Sequence, residues 1–167
     1  MEIENEIVRN DMLRNSEQIA EEVEMRMSKR NNIIITGIPE QTTGTVGERK
    51  MKDEDVVDEL ADELGITDYK IQDTFRIGKN LRQPRLLRVT FADVSTKWTF
   101  IRKSKRLRDS ENFKRCFIKP DFTFHERERN KKLREELQQK RKDGKDWIIR
   151  NGMIYLRDNQ PRHLNFH

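Results

Sequence analysis

The nineteen residues from Asp73 to Phe91, DTFRIGKNLRQPRLLRVTF, constrain this chain more than any other segment. Two short apolar runs are threaded with arginines and joined by a connection that carries Gly78, Asn80 and Pro84. At the two-residue period of a strand, Leu87, Val89 and Phe91 fall on one face and Leu86, Arg88 and Thr90 on the other. The first face reads as core and the second presents a cation. In the first run Phe75 and Ile77 flank Arg76, so paired as a hairpin the two runs are expected to bring Arg76 and Arg88 to one side of a sheet.

The segments around this hairpin supply its partners. Residues 33–39, IIITGIP, form a β-branched run closed by Gly and Pro, read as a buried strand and its exit. A polar loop is expected over residues 40–50. From Asp53 the period becomes helical, with Val56, Val57, Leu60, Ala61 and Leu64 on one stripe and Gly65 as the stop. Asp53, Glu54, Asp55, Asp58 and Glu59 read as a solvated helix start, because neither His nor Cys accompanies them. After the hairpin, Val94, Trp98, Ile101 and Lys105 recur at four, three and four, which predicts a helix packed through Trp98 and capped by Asp93. Cys116, Phe117 and Ile118 make a short fourth strand that Pro120 ends.

The flanks have their own character. Ile3, Ile7, Leu13, Ile19, Val23 and Met27 mark an amphipathic helix over residues 1–29, whose broken phase leaves open whether it packs on its own domain or in an oligomerising coil. Thr123 to Glu126 reads as a capping box opening a charged helix with a narrow seam of Leu133 and Leu137. Asn151-Gly152, set between Trp147–Arg150 and Met153–Leu156, is the strongest short hairpin signal in the chain. The expected organisation is an N-terminal helix (1–29), a domain (30–120), a basic helix and hairpin (121–158) and a polar tail (159–167).

Composition narrows the function. Hydrophobic residues are 33% and charged residues 39% of 167, which suits a small core with solvated helices attached. Residues 1–67 carry 8 Lys/Arg against 17 Asp/Glu, a net of −9, whereas residues 68–167 carry 27 against 13, a net of +14. An anionic partner for the basic half follows, and nucleic acid fits better than membrane because the basic segments lack an apolar face. No apolar run is long enough to span a bilayer, and the acidic start MEIENEIVRND is not expected to act as a secretory signal. Cys116 has no partner for an internal disulfide, which fits a reducing compartment. His125, His163 and His167 lack companions at metal-ligand spacing, and no phosphate-binding loop, nucleophile elbow or HExxH occurs. A non-enzymatic protein without metal or cofactor is expected.

Strand, helix, strand, strand, helix, strand in about ninety residues is the split-βαβ (ferredoxin-like) plan: an α+β fold with a four-stranded antiparallel sheet and helices on one face. RNA-recognition domains use this plan and stack bases on aromatic residues of the first and third strands. Here those places fall to Ile34, Leu86 and Arg88, so base stacking would rest on Arg88 or Phe117. With NNIIITGIPE after a helical lead, IQDTFRIGKNLRQPRLLRVTF in the middle and DWIIRNGMIYL near the end, residues 25–157 resemble the first open-reading-frame protein of LINE-type non-LTR retrotransposons. The resemblance implies a coiled coil, an RRM-like domain lacking the standard aromatics and a small basic C-terminal domain. It further implies packaging of the element's RNA into a cytoplasmic or nuclear ribonucleoprotein, with nucleic-acid chaperone activity. By resemblance, Arg76 is the arginine of the second strand, Arg85 introduces the third, and Arg150 to Tyr155 belong to the terminal hairpin.

Arg76, Arg85 and Arg88 are the leading candidates to contact single-stranded RNA or DNA, since a guanidinium pairs a phosphate with two donors or stacks on a base. Lys79 and Arg82 in the connection extend that set. Lys103, Lys105 and Arg106 follow on the second domain helix, then Lys131, Lys132, Arg134 and Arg141 on the charged helix, and Arg150 on the hairpin. Trp147 and Tyr155 either stack bases or fill the core of the small hairpin. The rival expectation is an interaction module in which the sheet binds a protein and the N-terminal helix assembles homo-oligomers.

Overall fold

A computed structural model describes residues 2–79, 84–150 and 152–157. They form two compact units, one ending at Asp121 and the other starting at Phe122. In the first unit, helix α1 (Glu2–Ser28) leads into strand β1 (Asn32–Thr36), helix α2 (Val46–Leu64), strands β2 (Ile71–Ile77) and β3 (Leu86–Phe91), helix α3 (Val94–Lys103), a 3-10 helix over Ser104–Asp109 and strand β4 (Phe117–Pro120). The four strands make one antiparallel sheet in the order β2-β3-β1-β4. The expected α+β class and four-stranded antiparallel sheet are therefore present. Among the described residues, no helix is long and apolar enough to cross a membrane.

The core lies on one face of the sheet. Ile33 and Ile35 of β1, Leu87, Val89 and Phe91 of β3 and Ile118 of β4 meet Val57, Leu60, Ala61 and Leu64 of α2 and Phe100 of α3. Phe91 stacks on Phe100 with ring centroids 4.7 Å apart, and Tyr69 meets both rings edge-on. Tyr69 also donates to Asp58 at 2.5 Å; burial, then that bond, pushes its pKa upwards.

Two helices differ from expectation for identifiable reasons, one in its start and one in its packed face. Helix α2 begins at Val46, inside the stretch expected to be loop. Thr45 accepts from the Glu48 amide, and Glu48 accepts from the Thr45 amide, a reciprocal cap that satisfies two otherwise orphaned donors. Thr45→Ala is expected to destabilise the fold by about 1 kcal/mol, read as a lower urea midpoint. Helix α3 carries the expected Asp93 cap, with the Thr96 amide 2.8 Å from Asp93 Oδ1. Its packed face is nevertheless Lys97 and Phe100, and Trp98 is 44% exposed. The lysine is tolerated inside because its Nζ donates to the Arg30 carbonyl at 3.0 Å and lies 5.2 Å from the Trp98 ring centroid.

The Asp93 carboxylate, hydrogen-bonded by Ser95 and by Thr96, has its pKa pushed down to about 2. A depressed folded-state pKa means that stability is present above the unfolded value near 3.9 and is lost as pH falls through the folded one. The urea midpoint is accordingly expected to fall between about pH 4 and pH 2, and less steeply in Asp93→Asn, which keeps a capping oxygen without a titrating group.

The second unit comprises helix α4 (Phe124–Lys140), a 3-10 turn over Arg141–Asp143 and the paired strands β5 (Trp147–Arg150) and β6 (Met153–Leu156). The Thr123 and Glu126 capping box opens α4 as expected. β5 and β6 pair antiparallel, with Arg150 opposite Met153.

Candidate nucleic-acid interface

The face of the sheet away from the helices is built by strand register. Directly opposed residues share a face, and Phe75 opposes Arg88, Arg88 opposes Ile34, and Ile34 opposes Lys119. One row across all four strands is thus Phe75, Arg88, Ile34 and Lys119. The next holds Ile77 opposite Leu86 and Thr36 opposite Phe117. On the other side of the first row lies a polar one, where Asn32 accepts from Thr90 at 2.9 Å and donates to Asp121 at 3.1 Å, and Asp121 also accepts from Lys29 at 2.8 Å. Ile34, Leu86 and Arg88 stand on this open face as the sequence implied.

Arg76 does not. Its register partner is Leu87, a core residue, so it points to the helix side, and the expectation that it shares a side with Arg88 is corrected. It is 8% exposed, and all five guanidinium donors have acceptors. Nε meets both Asp53 carboxylate oxygens at 3.1 and 3.2 Å, and NH2 meets Asp53 Oδ1 at 2.5 Å. NH1 donates to the carbonyls of Ile38 and Arg85 at 3.0 and 2.9 Å, and NH2 to that of Pro39 at 2.9 Å. Asp53 is accordingly no solvated helix start: it is the buried counter-ion that ties α2 to β2. A cation saturated in this way has no donor left for a phosphate.

The other predicted cations divide along similar lines. Arg85 grips Glu40 through its amide at 3.1 Å, its Nε at 2.9 Å and its NH2, and these bonds hold the Glu40 carboxyl below the usual range. Lys103 donates to the Gly65 carbonyl at 2.6 Å and Arg106 to that of Leu64 at 3.4 Å, so both serve the exposed carbonyl end of α2. Arg141 donates to the Trp147 carbonyl at 2.9 Å. Trp147 is held by its indole N–H on Asp143 and by Lys140, whose Nζ lies 5.0 Å from the ring centroid. Trp147 is thus half-buried and tied to the end of α4, whereas Tyr155 and Arg150 are exposed. Lys79 and Lys105 are exposed as well, and Arg82 lies outside the described residues.

Arg88 stands apart among the sheet arginines. Its guanidinium carbon sits 5.2 Å from the centroid of the Phe75 ring, and its NH2 is 3.9 Å from Asp73 Oδ2, a carboxylate already engaged by Lys50 at 2.7 Å. Its Nε is buried and finds no acceptor among the described residues. On the second unit, Arg127, Lys131 and Arg134 recur at four and three along α4, so one exposed face of that helix is cationic, with Lys132 beside it. The expected track missed Phe75, because Phe-Arg-Ile reads as two core residues around a surface cation, and the reverse holds.

Fold and site together define an α+β protein whose open sheet face combines rings with cations, accompanied by a basic helix and hairpin. No family model and no curated protein matches the chain.

Proposed function

We propose that this chain is a non-catalytic, single-stranded nucleic-acid-binding protein, one that packages the RNA of a LINE-type non-LTR retrotransposon in a cytoplasmic or nuclear ribonucleoprotein and acts as a nucleic-acid chaperone. Its first unit is read as an RRM-like, ferredoxin-like split-βαβ domain. The strand order with β1 and β3 central, together with α2 and α3 packed on a single face, supports that reading. The observation that carries the function is Arg88: a part-exposed guanidinium on an open sheet face, over Phe75, whose carboxylate neighbour Asp73 is 3.9 Å away and already engaged by Lys50. Lys119 in the same row and the cationic face of α4 add sites for a phosphate backbone.

A filter-binding titration of single-stranded RNA against salt tests it. Log K is expected to fall linearly with log salt, with a slope of about −0.7 for each phosphate engaged. Arg88→Ala should weaken binding and flatten the slope by about 0.7, and Lys131→Ala with Arg134→Ala by about 1.4. Absence of any salt-dependent affinity in the intact chain would falsify the proposal.

Self-assembly through α1 is a second reading, favoured by the exposure of Met12, Leu13, Ile19, Val23, Met25 and Met27 along that helix. Sedimentation is expected to show a homo-oligomer that Ile19→Asp with Val23→Asp dissociates, and a wild-type monomer at high concentration would rule it out.

A further inference from the structure

We infer that Phe75 and Phe117 are two base-stacking seats on the outer strands of the sheet, an inference that rests on the nucleic-acid reading above and deepens it. Both side chains belong to the open face, and they are 56% and 66% exposed, although Phe is among the residues most often buried. Neither stands on β1 or β3, the central strands. Phe75 lies on β2 and Phe117 on β4 one row further along, so three strand spacings across the sheet and two residues along it put the two positions about 16 Å apart. Neighbouring stacked bases are about 3.4 Å apart, so the two seats hold bases that are not adjacent in the strand.

What lies between the rings selects the occupant. Arg88 and Lys119 flank Ile34, which is 5% exposed, so the middle of the face is cationic over a filled floor and the rings stand at its two margins. An apolar peptide would have to bury those charges without partners, at a large desolvation cost. A single-stranded nucleic acid meets each group with its complement: phosphates for Lys119, a base face for each ring, and a phosphate or base acceptor for the solvent-facing edge of the part-exposed Arg88 guanidinium. Arg88 over Phe75 already forms a cation-π pair, and a base on the exposed side of that ring would extend the stack. Stacking of this kind tolerates any base, which makes the seats suited to coating RNA rather than reading its sequence.

The intact chain should be titrated with a uridine oligonucleotide and with an abasic ribose-phosphate strand of equal length. Wild type is expected to prefer the uridine strand at least tenfold. Phe75→Ala and Phe117→Ala should each weaken uridine binding by about fivefold to a hundredfold, leaving abasic binding and the salt slope unchanged. Phe→Trp at either position should retain affinity, and Phe→Leu should lose it as Ala does, because leucine supplies apolar area without a π face. Both rings are solvent-facing, so the variants should melt with wild type. Alanine variants that bind the uridine strand like wild type overturn the seats while leaving the nucleic-acid reading intact. Leucine variants that bind like wild type overturn stacking in favour of apolar cover of the kind a protein partner would use. A wild-type chain that binds neither strand at low salt removes the reading and the seats together.

Discussion

Arg76→Ala is expected to lower folding stability by about 3–5 kcal/mol, the size expected when one partner of a buried, hydrogen-bonded ion pair is removed. The reason is the number of groups that depend on this guanidinium. Asp53 would lose its counter-ion, and the carbonyls of Ile38, Pro39 and Arg85 would lose a charged donor inside the fold. Those carbonyls sit at the exit of β1 and the entry to β3, so one side chain fixes α2, β2 and both segments at that end of the sheet. Arg76→Lys should recover little, because a single ammonium cannot reach four acceptors in fork geometry. Urea denaturation of Arg76→Ala and Asp53→Ala is the measurement. A midpoint within experimental error of wild type would show that the pair is dispensable. Loss of RNA affinity by Arg76→Ala is expected to follow its unfolded fraction. A fully folded variant that fails to bind would return Arg76 to the interface.

Gly37→Ala should be nearly as damaging, by about 2–5 kcal/mol, from a left-handed backbone and a steric overlap acting together. Gly37 follows β1 with φ of 86°, and a Cβ there would lie 2.3 Å from the carbonyl oxygen of Arg115 and 3.3 Å from the Cα of Cys116. Backbone, unlike a flexible side chain, cannot swing aside. The segment leading into β4 must therefore move away from the end of β1, disturbing the pairing of Thr36 with Phe117 and with it one of the proposed seats. Gly78→Ala is a useful control: φ is again positive at 106°, but no neighbour among the described residues comes within 4 Å of the added carbon, so the backbone term dominates. Thermal melts of the two variants should differ accordingly.

Local chemistry was legible where it is set by neighbours in sequence. The capping box at Thr123 and Glu126, the Asp93 cap, the β5-β6 hairpin and the β-branched strand expected from Ile33 all follow from short-range hydrogen bonding and periodicity. The same signal, Thr45 followed by Glu48, stands at the start of α2, but its flanking residues are polar and no apolar period marks the helix there. The spacing puts Trp98 inside because a three-and-four period admits two phases one residue apart. Lys97 with Phe100 fills that face, since a lysine stem is apolar and its ammonium found a carbonyl.

The sequence by itself determined that there would be a small α+β domain, a strand whose alternate residues Leu87, Val89 and Phe91 make core while Arg88 faces outward, and a basic second half. Which arginine would be free was decided only in three dimensions. A strand side chain's face depends on register, and a one-residue difference exchanges both sets. In β2 the apolar-cation-apolar pattern favoured Phe75 inside and Arg76 outside. The tertiary structure reverses it, because Asp53 on α2 and three carbonyls from distant segments converge on the guanidinium and make its burial tolerable. That exchange puts a phenylalanine under Arg88 on the open face. Such convergence spans residues 38 to 85, a range over which no periodicity in the chain carries information.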